Sequence, residues 1–125
     1  MKILTIGDVV GEAGLDALHA LLRRIKRDVG ADFVIVNGEN AAGNGVLPRQ
    51  AEDIFDAGAD VVTLGNHAFG KQQIVPYLDE HSDILRPANL APQSPGQGWG
   101  IFDGPQGSRL LVIDLIGRCD MKYGP

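Results

Sequence analysis

The order of apolar segments predicts an α/β fold, with a mostly parallel sheet, helices on its faces and a hairpin at the C-terminal end. Three observations carry the prediction. Short apolar runs rich in β-branched residues alternate with segments of helical periodicity, the pattern of parallel strands joined by helical crossovers. Each of the first three runs breaks at a glycine beside polar residues. After Leu90 the spacing shortens and proline and glycine become dense, which reads as two strands and a turn. Repeats, low-complexity tracts and linkers are absent, and 125 residues suit one domain.

The elements follow in order. Residues 2–6 form the first strand, ended by Gly7. Leu15, Leu18, Leu22, Ile25 and Val29 then recur at spacings of three and four, the stripe of an amphipathic helix. Arg23, Arg24, Lys26 and Arg27 fill its other face as a solvated surface, and Gly30 closes it. Residues 33–36 are the second strand, and residues 38–47 a glycine-containing loop. Pro48 suits the first turn of a helix whose apolar face is Ala51, Ile54 and Phe55, with Gly58 after it. Residues 61–64 are the third strand, broken at Gly65. Ile74, Tyr77 and Leu78 mark a third helix, and Ile84 with Leu85 a short fourth strand before Arg86-Pro87. Ile101-Phe102 and residues 109–116 pair across Gly104-Pro105-Gln106-Gly107 as the final hairpin. It lies at the edge of the first sheet or starts a second.

Composition narrows the function. At 44% hydrophobic and 22% charged residues the chain is ordinary for a globular domain. Its net charge of -5 argues against binding a nucleic-acid polymer, which needs a basic stripe. It leaves room for a small phosphate ester, because bound cations supply positive charge locally. The apolar run at the N-terminus is too short for a signal peptide or a membrane span, so a cytoplasmic protein with no membrane association is expected. Cys119 stands alone, so an internal disulfide is impossible; a small apolar packing residue is the expected role.

The chemistry gathers at three strand ends: Gly7-Asp8, Asn37-Gly38-Glu39-Asn40 and Gly65-Asn66-His67. Ligands in open α/β sheets bind outside the carboxyl ends of the strands, and parallel strands bring these ends to one edge. The assembled set is two carboxylates, two carboxamides and an imidazole, with no lysine or arginine among them. Carboxylate and amide oxygens suit hard or borderline divalent cations, and imidazole adds a nitrogen ligand or a proton carrier. A carboxylate can bridge two ions, and two ions roughly 3.5–4 Å apart can clamp a phosphate for in-line attack by water. Without metal the two acids would repel an anionic substrate.

Singly, each residue has a plainer explanation. Asp8 serves as well as a helix cap or turn former, and His67 as a hydrogen-bonded, half-buried histidine. Three separate strand ends with compatible donors form a stronger signal than any one of them. Other motifs fail: Gly7 to Gly14 lacks the G-x-G-x-x-G spacing, and neither a phosphate-binding G-x-x-x-x-G-K-[ST] loop, an H-E-x-x-H pair nor a G-x-S-x-G elbow occurs. His19 reads as a packing or surface residue. His81, after the third helix, takes no catalytic role.

At these residues the chain resembles the YmdB-like branch of the calcineurin-like metallophosphoesterases. The resemblance rests on Ile6-Gly7-Asp8-Val9-Val10-Gly11, Val36-Asn37-Gly38-Glu39-Asn40-Ala41-Ala42, Leu64-Gly65-Asn66-His67 and Arg86-Pro87-Ala88-Asn89, with a weaker match at Leu115-Ile116-Gly117-Arg118. It spans nearly the whole chain. It implies a four-layer α/β/β/α fold of which residues 1–125 are the N-terminal part. It also implies hydrolysis of small phosphodiesters, notably 2′,3′-cyclic nucleotides, at two divalent ions. Iron is the first choice, with manganese, magnesium and zinc as alternatives. By the resemblance Asp8 ligates one ion and Glu39 bridges both. Asn40 and Asn66 complete the shell of the second ion or orient the phosphate, and His67 donates a proton to the leaving oxygen.

Two departures qualify the carry-over. The family places Thr-Trp-Asp or similar after the Asn-His pair, where this chain has Ala68-Phe69-Gly70. Family members are also longer, and their second half supplies histidine ligands that residues 1–125 lack. The expectation is a site completed by further C-terminal sequence or by a second copy in a homo-oligomer. The competing reading is a non-catalytic α/β module that binds nucleotide or a partner protein.

Overall fold

The computed structural model of the chain describes residues 1–121. Four strands form one sheet in the order β1-β2-β3-β4, all parallel. They are β1 (Ile3–Ile6), β2 (Phe33–Asn37), β3 (Val61–Thr63) and β4 (Ile84–Leu85). Between them lie α1 (Gly11–Val29), α2 (Pro48–Ala57) and α3 (Ile74–Glu80). The strands fall where the apolar runs place them, with ends moved by one residue. A hairpin of β5 (Trp99–Asp103) and β6 (Arg109–Ile113) forms a second, antiparallel sheet. Both hairpin strands differ from the sequence reading: β5 starts earlier, and β6 stops at Ile113 rather than Ile116.

The helices occupy one face of the parallel sheet, not both. Strand order equals chain order, so every right-handed crossover steps in the same direction and returns over the same face. Period-two alternation then sorts the strand residues. Leu4, Ile6, Val34, Val36, Val62, Leu64 and Ile84 meet the helices, in a core shared with Leu15, Leu18, Leu22, Ala51, Ile54, Ile74 and Leu78. Phe33, Ile35, Val61 and Leu85 point the other way, onto Phe102, Leu110 and Val112 of the hairpin. The Phe33 and Phe102 rings sit 5.8 Å apart in a tilted pair. Helices, parallel sheet and hairpin make three layers among the described residues.

The first helix ends where Gly30 adopts the left-handed conformation (φ 65°), a turn glycine takes without steric cost, and its N–H caps Arg27 and Lys26 carbonyls. Its apolar stripe is only partly enclosed: Leu15, Leu18 and Leu22 are buried, Ile25 is half-buried and Val29 is exposed, because the last turn runs past α2. The basic face is solvated as expected at Arg23, Arg24 and Arg27, which are exposed, while Lys26 is half-buried. Lys26 Nζ lies 3.1 Å from Asp60 Oδ2, and Arg23 bonds the Asp56 carbonyl, tying α1 to the far end of α2. Cys119 is exposed, against the packing role expected, because it lies past the last strand and no described residue covers it.

Candidate metal centre

The carboxyl ends of β1, β2 and β3 meet as the parallel order requires, and their loops are stitched together by backbone. Val9 N–H donates to the Asn37 carbonyl at 2.9 Å, Gly11 N–H to the Asn40 carbonyl at 3.1 Å, and Gly38 N–H to the Thr63 carbonyl at 3.0 Å. Asp8 is one of three described non-glycine residues with positive φ (35°). Such backbone costs roughly 1–3 kcal/mol and persists where surrounding contacts fix it. The bonds made by Val9 and Gly11, just after Asp8, do so. They also exclude the helix-cap reading: the residue that caps α1 is Val10.

Asp8, Asn40, His67 and Asn66 form one hydrogen-bonded chain. Asn40 Nδ2 donates to Asp8 Oδ1 at 2.7 Å, and Asn40 Oδ1 lies 2.8 Å from His67 Nδ1. Asn66 Nδ2 lies 3.2 Å from His67 Nε2. The tautomer that satisfies both contacts carries its proton on Nδ1, which donates to Asn40 while Nε2 accepts from Asn66. Glu39 approaches from below, with His67 N–H 3.5 Å from its Oε2.

Gly65 makes room for that carboxylate. A Cβ on Gly65 would stand 2.0 Å from Glu39 Oε2, a distance no such atom pair can hold. Gly65 therefore belongs to the site, although in the sequence it reads only as a strand end. Gln50 is a second residue that sequence reasoning missed. It is buried in α2, accepts from Leu47 N–H at 3.1 Å and donates to the Ala41 carbonyl at 3.0 Å, pinning the loop that carries Glu39 and Asn40.

Asp114 is the third. It lies one residue past β6, is 8% exposed, and accepts the Leu64 N–H at 3.0 Å, directly under Gly65-Asn66-His67. Burial pushes its carboxyl up from 3.8 to about 6; the Leu64 N–H pulls it back, and the Glu39 charge raises it further. No sequence signal marks it, because its partner is 50 positions away.

The donor set suits a hard or borderline divalent cation. Asp8, Glu39, Asn66 and Asn40 offer oxygens, and His67 a nitrogen. Among the described residues no three His, Cys, Asp or Glu side chains cluster as a metal site. The amides are thus needed to complete even one ion's protein shell.

Comparisons with known proteins identify the family and the fold. The family described as YmdB-like protein matches residues 4–124. A Bacillus subtilis (strain 168) protein named 2′,3′-cyclic-nucleotide 2′-phosphodiesterase is 39% identical over 119 residues, covering 94% of this chain and 45% of the relative. The crystal structure of a hypothetical protein from Thermus thermophilus superposes with a TM-score of 0.87 at 37% identity, over 98% of this chain and 48% of that one. A structure described as a novel phosphatase from Mycoplasma pneumoniae gives 0.84 at 29% identity, over 94% and 43%. The chain spans less than half the length of each of these three proteins. Among the described residues, no helix is long and apolar enough to cross a membrane.

Proposed function

The chain belongs to the YmdB-like family, and on that premise we propose that it carries the strand-end portion of a metal-dependent phosphodiesterase site for small phosphodiesters such as 2′,3′-cyclic nucleotides. One observation carries the reading: two carboxylates, two amides and an imidazole from three separate strand ends converge in one hydrogen-bonded cluster in which, among the described residues, no lysine or arginine takes part. A structural cluster would pair these acids with lysine or arginine; a cation site leaves them free.

Asp8, Glu39, Asn40 and Asn66 would hold the metal, iron first among the candidates. A bound divalent ion supplies positive charge against the phosphate and acidifies water. Catalytic ions usually take about three protein ligands plus water. The donors of this chain thus suffice for one ion, and a second would share Glu39 and draw on donors outside this set. His67 has its Nδ1 committed to Asn40, so Nε2 is the nitrogen free to change: it accepts from Asn66 in the neutral ring, and only the imidazolium, protonated at Nε2 as well, could pass a proton from there to a leaving oxygen. Asn40 holds the ring in that orientation while its amide nitrogen fixes Asp8. The net charge of -5 favours a small ester over a nucleic-acid polymer.

The test is hydrolysis of 2′,3′-cyclic AMP, with Fe²⁺ or Mn²⁺ added, by the chain and by the longest polypeptide that contains it. Glu39→Gln is expected to lose metal and turnover together. His67→Ala is expected to keep metal and lose roughly 10²–10⁴ in turnover of a nucleoside ester, and much less with a nitrophenyl ester, whose leaving group needs little protonation. Hydrolysis that ignores both substitutions overturns the reading.

A further inference from the structure

Two clefts border the polar cluster, and they differ in chemistry. The one beside Asp8 runs along α1, encloses about 230 Å³ and has mainly aliphatic walls, including Leu18, Leu21, Leu22 and Ile25. The one beside Asn66 encloses about 330 Å³ and is lined by Gly65, Asn66, Phe69, Leu90, Ser94 and Ile116 among others. Only the second reaches the roughly 300–1,000 Å³ usual for small-molecule sites. It also combines an aromatic ring, aliphatic walls, an amide and a hydroxyl, with no charged side chain among the described residues that line it.

The walls of this second cleft are held in place. Asn89 and Ile116 exchange two hydrogen bonds, Asn89 Nδ2 to the Ile116 carbonyl at 2.8 Å and Ile116 N–H to Asn89 Oδ1 at 3.0 Å. Beneath the loop the buried Arg86 guanidinium donates to the Pro87 carbonyl at 2.9 Å and the Ser94 carbonyl at 3.4 Å. The loop after β4 is thus fixed at both ends of the cleft, and the site is formed before any ligand arrives. Phe69, which also lines the cleft, keeps 36% of its surface exposed.

We propose that this cleft is the subsite for the uncharged, planar organic group of the phosphoester, a heterocyclic base stacked on Phe69 between Leu90 and Ile116. The inference rests on the phosphodiesterase reading and adds which part of the substrate lies where. Among the described residues the cleft has no cationic side chain in its lining to hold a phosphate. It shares Asn66 with the polar cluster, whose amide lies 3.2 Å from His67 Nε2. An ester whose phosphate sits beside His67, at an ion that Asp8 and Glu39 would hold, would therefore extend its organic end past Asn66 into the cleft. The Asn66 amide and the Ser94 hydroxyl offer hydrogen bonds to ring heteroatoms, which the aliphatic cleft along α1 does not.

The experiment is NMR titration of the longest polypeptide that contains the chain, methyl- and histidine-labelled, with Mg²⁺ present, using 2′,3′-cyclic AMP and inorganic phosphate. The nucleotide is expected to shift the His67 ring together with the Leu90, Ala91 and Ile116 methyls; phosphate is expected to shift His67 alone. Phe69→Ala should weaken the nucleotide roughly five- to hundredfold, the range of base–aromatic stacking, and leave phosphate binding unchanged. Ala91→Trp, at an exposed position, should block the cleft with the same selectivity. A nucleotide that shifts His67 but not the cleft methyls, or shifts Leu18, Leu21 and Leu22 instead, overturns the subsite and leaves the phosphodiesterase reading intact. No His67 shift with either ligand overturns the phosphodiesterase reading and the subsite with it.

Discussion

In the parallel sheet Val34, Val36, Val61, Val62, Ile84 and Leu85 are wholly enclosed, whereas in the hairpin Trp99 and Ile113 face each other across the strands at 55% and 52% exposure, as do Ile101 and Leu111 beside them. Both sheets are apolar on both faces. The parallel sheet has helices on one side and the hairpin on the other; among the described residues the hairpin is covered by the parallel sheet alone. A strand apolar on both faces is the pattern of one covered twice, while a one-sided antiparallel sheet turns polar residues outward. The residues of the hairpin's outer face are thus chosen for burial that no described residue provides. Cohesion of the chain rests on the parallel sheet and its helices, and the polar cluster is built on the end of that same rigid unit.

The sharpest way to break this comparison is to truncate one residue from each region. Ile54 is fully enclosed and packs under Gly38, next to the site loop. Ile54→Ala is expected to cost about 2–5 kcal/mol in urea unfolding, as a lost side chain plus an unfilled cavity. Leu111→Ala, on the outer face of the hairpin, is expected to stay within about 0.5 kcal/mol. Equal losses would mean that both faces of the hairpin are buried in solution.

The second experiment sits where the two sheets join. Asp114 has its carboxyl pushed up to about 6, so the folded state prefers the protonated form. Its contribution to stability is full below the unfolded value near 3.8 and is lost as pH rises through 6. Asp114→Asn keeps an oxygen for the Leu64 N–H and removes the charge. Its stability relative to the native chain is expected to rise by up to about 3 kcal/mol between about pH 4 and pH 7, read from denaturation midpoints. A flat difference across that range would show that Asp114 is already solvated in the folded chain.

Gly65→Ala tests the rigid end of the parallel sheet. The added methyl displaces the Glu39 carboxylate, and metal affinity by calorimetry is expected to fall about 10–100-fold, the usual effect of disturbing the support of a ligand. The smallest effect is expected for Ile101→Ser on the hairpin. Folding stability should hold within about 0.5 kcal/mol, and any self-association seen by sedimentation should weaken as the apolar patch shrinks.

Much of the fold is legible in the residues. The periodicity of Leu15, Leu18 and Leu22, the runs at β2 and β3, Pro48 at the start of α2 and the glycine stops are local signals, and local signals survive in a string. The convergence of Asp8, Glu39, Asn40, Asn66 and His67 follows from them too, since adjacent parallel strands cannot end anywhere but side by side. The confinement of the helices to one face is not legible, because it depends on strand order rather than on any segment. The fates of Val29 and Cys119 escape for a related reason: apolar character says that a residue can be buried, not that a neighbour is there to bury it.

The sequence by itself determined the elements, their order and the chemical inventory of the cluster, because each depends on side chains close along the chain or on a rule of chain connection. Only the tertiary structure decided how the inventory is wired. It placed Asn40 between Asp8 and His67, opened Gly65 to Glu39, and set Asp114, 50 positions from Leu64, beneath the third strand end. Those contacts are fixed by how one sheet lands on another, a matter of packing at distances of a few ångströms that no local pattern of residues encodes.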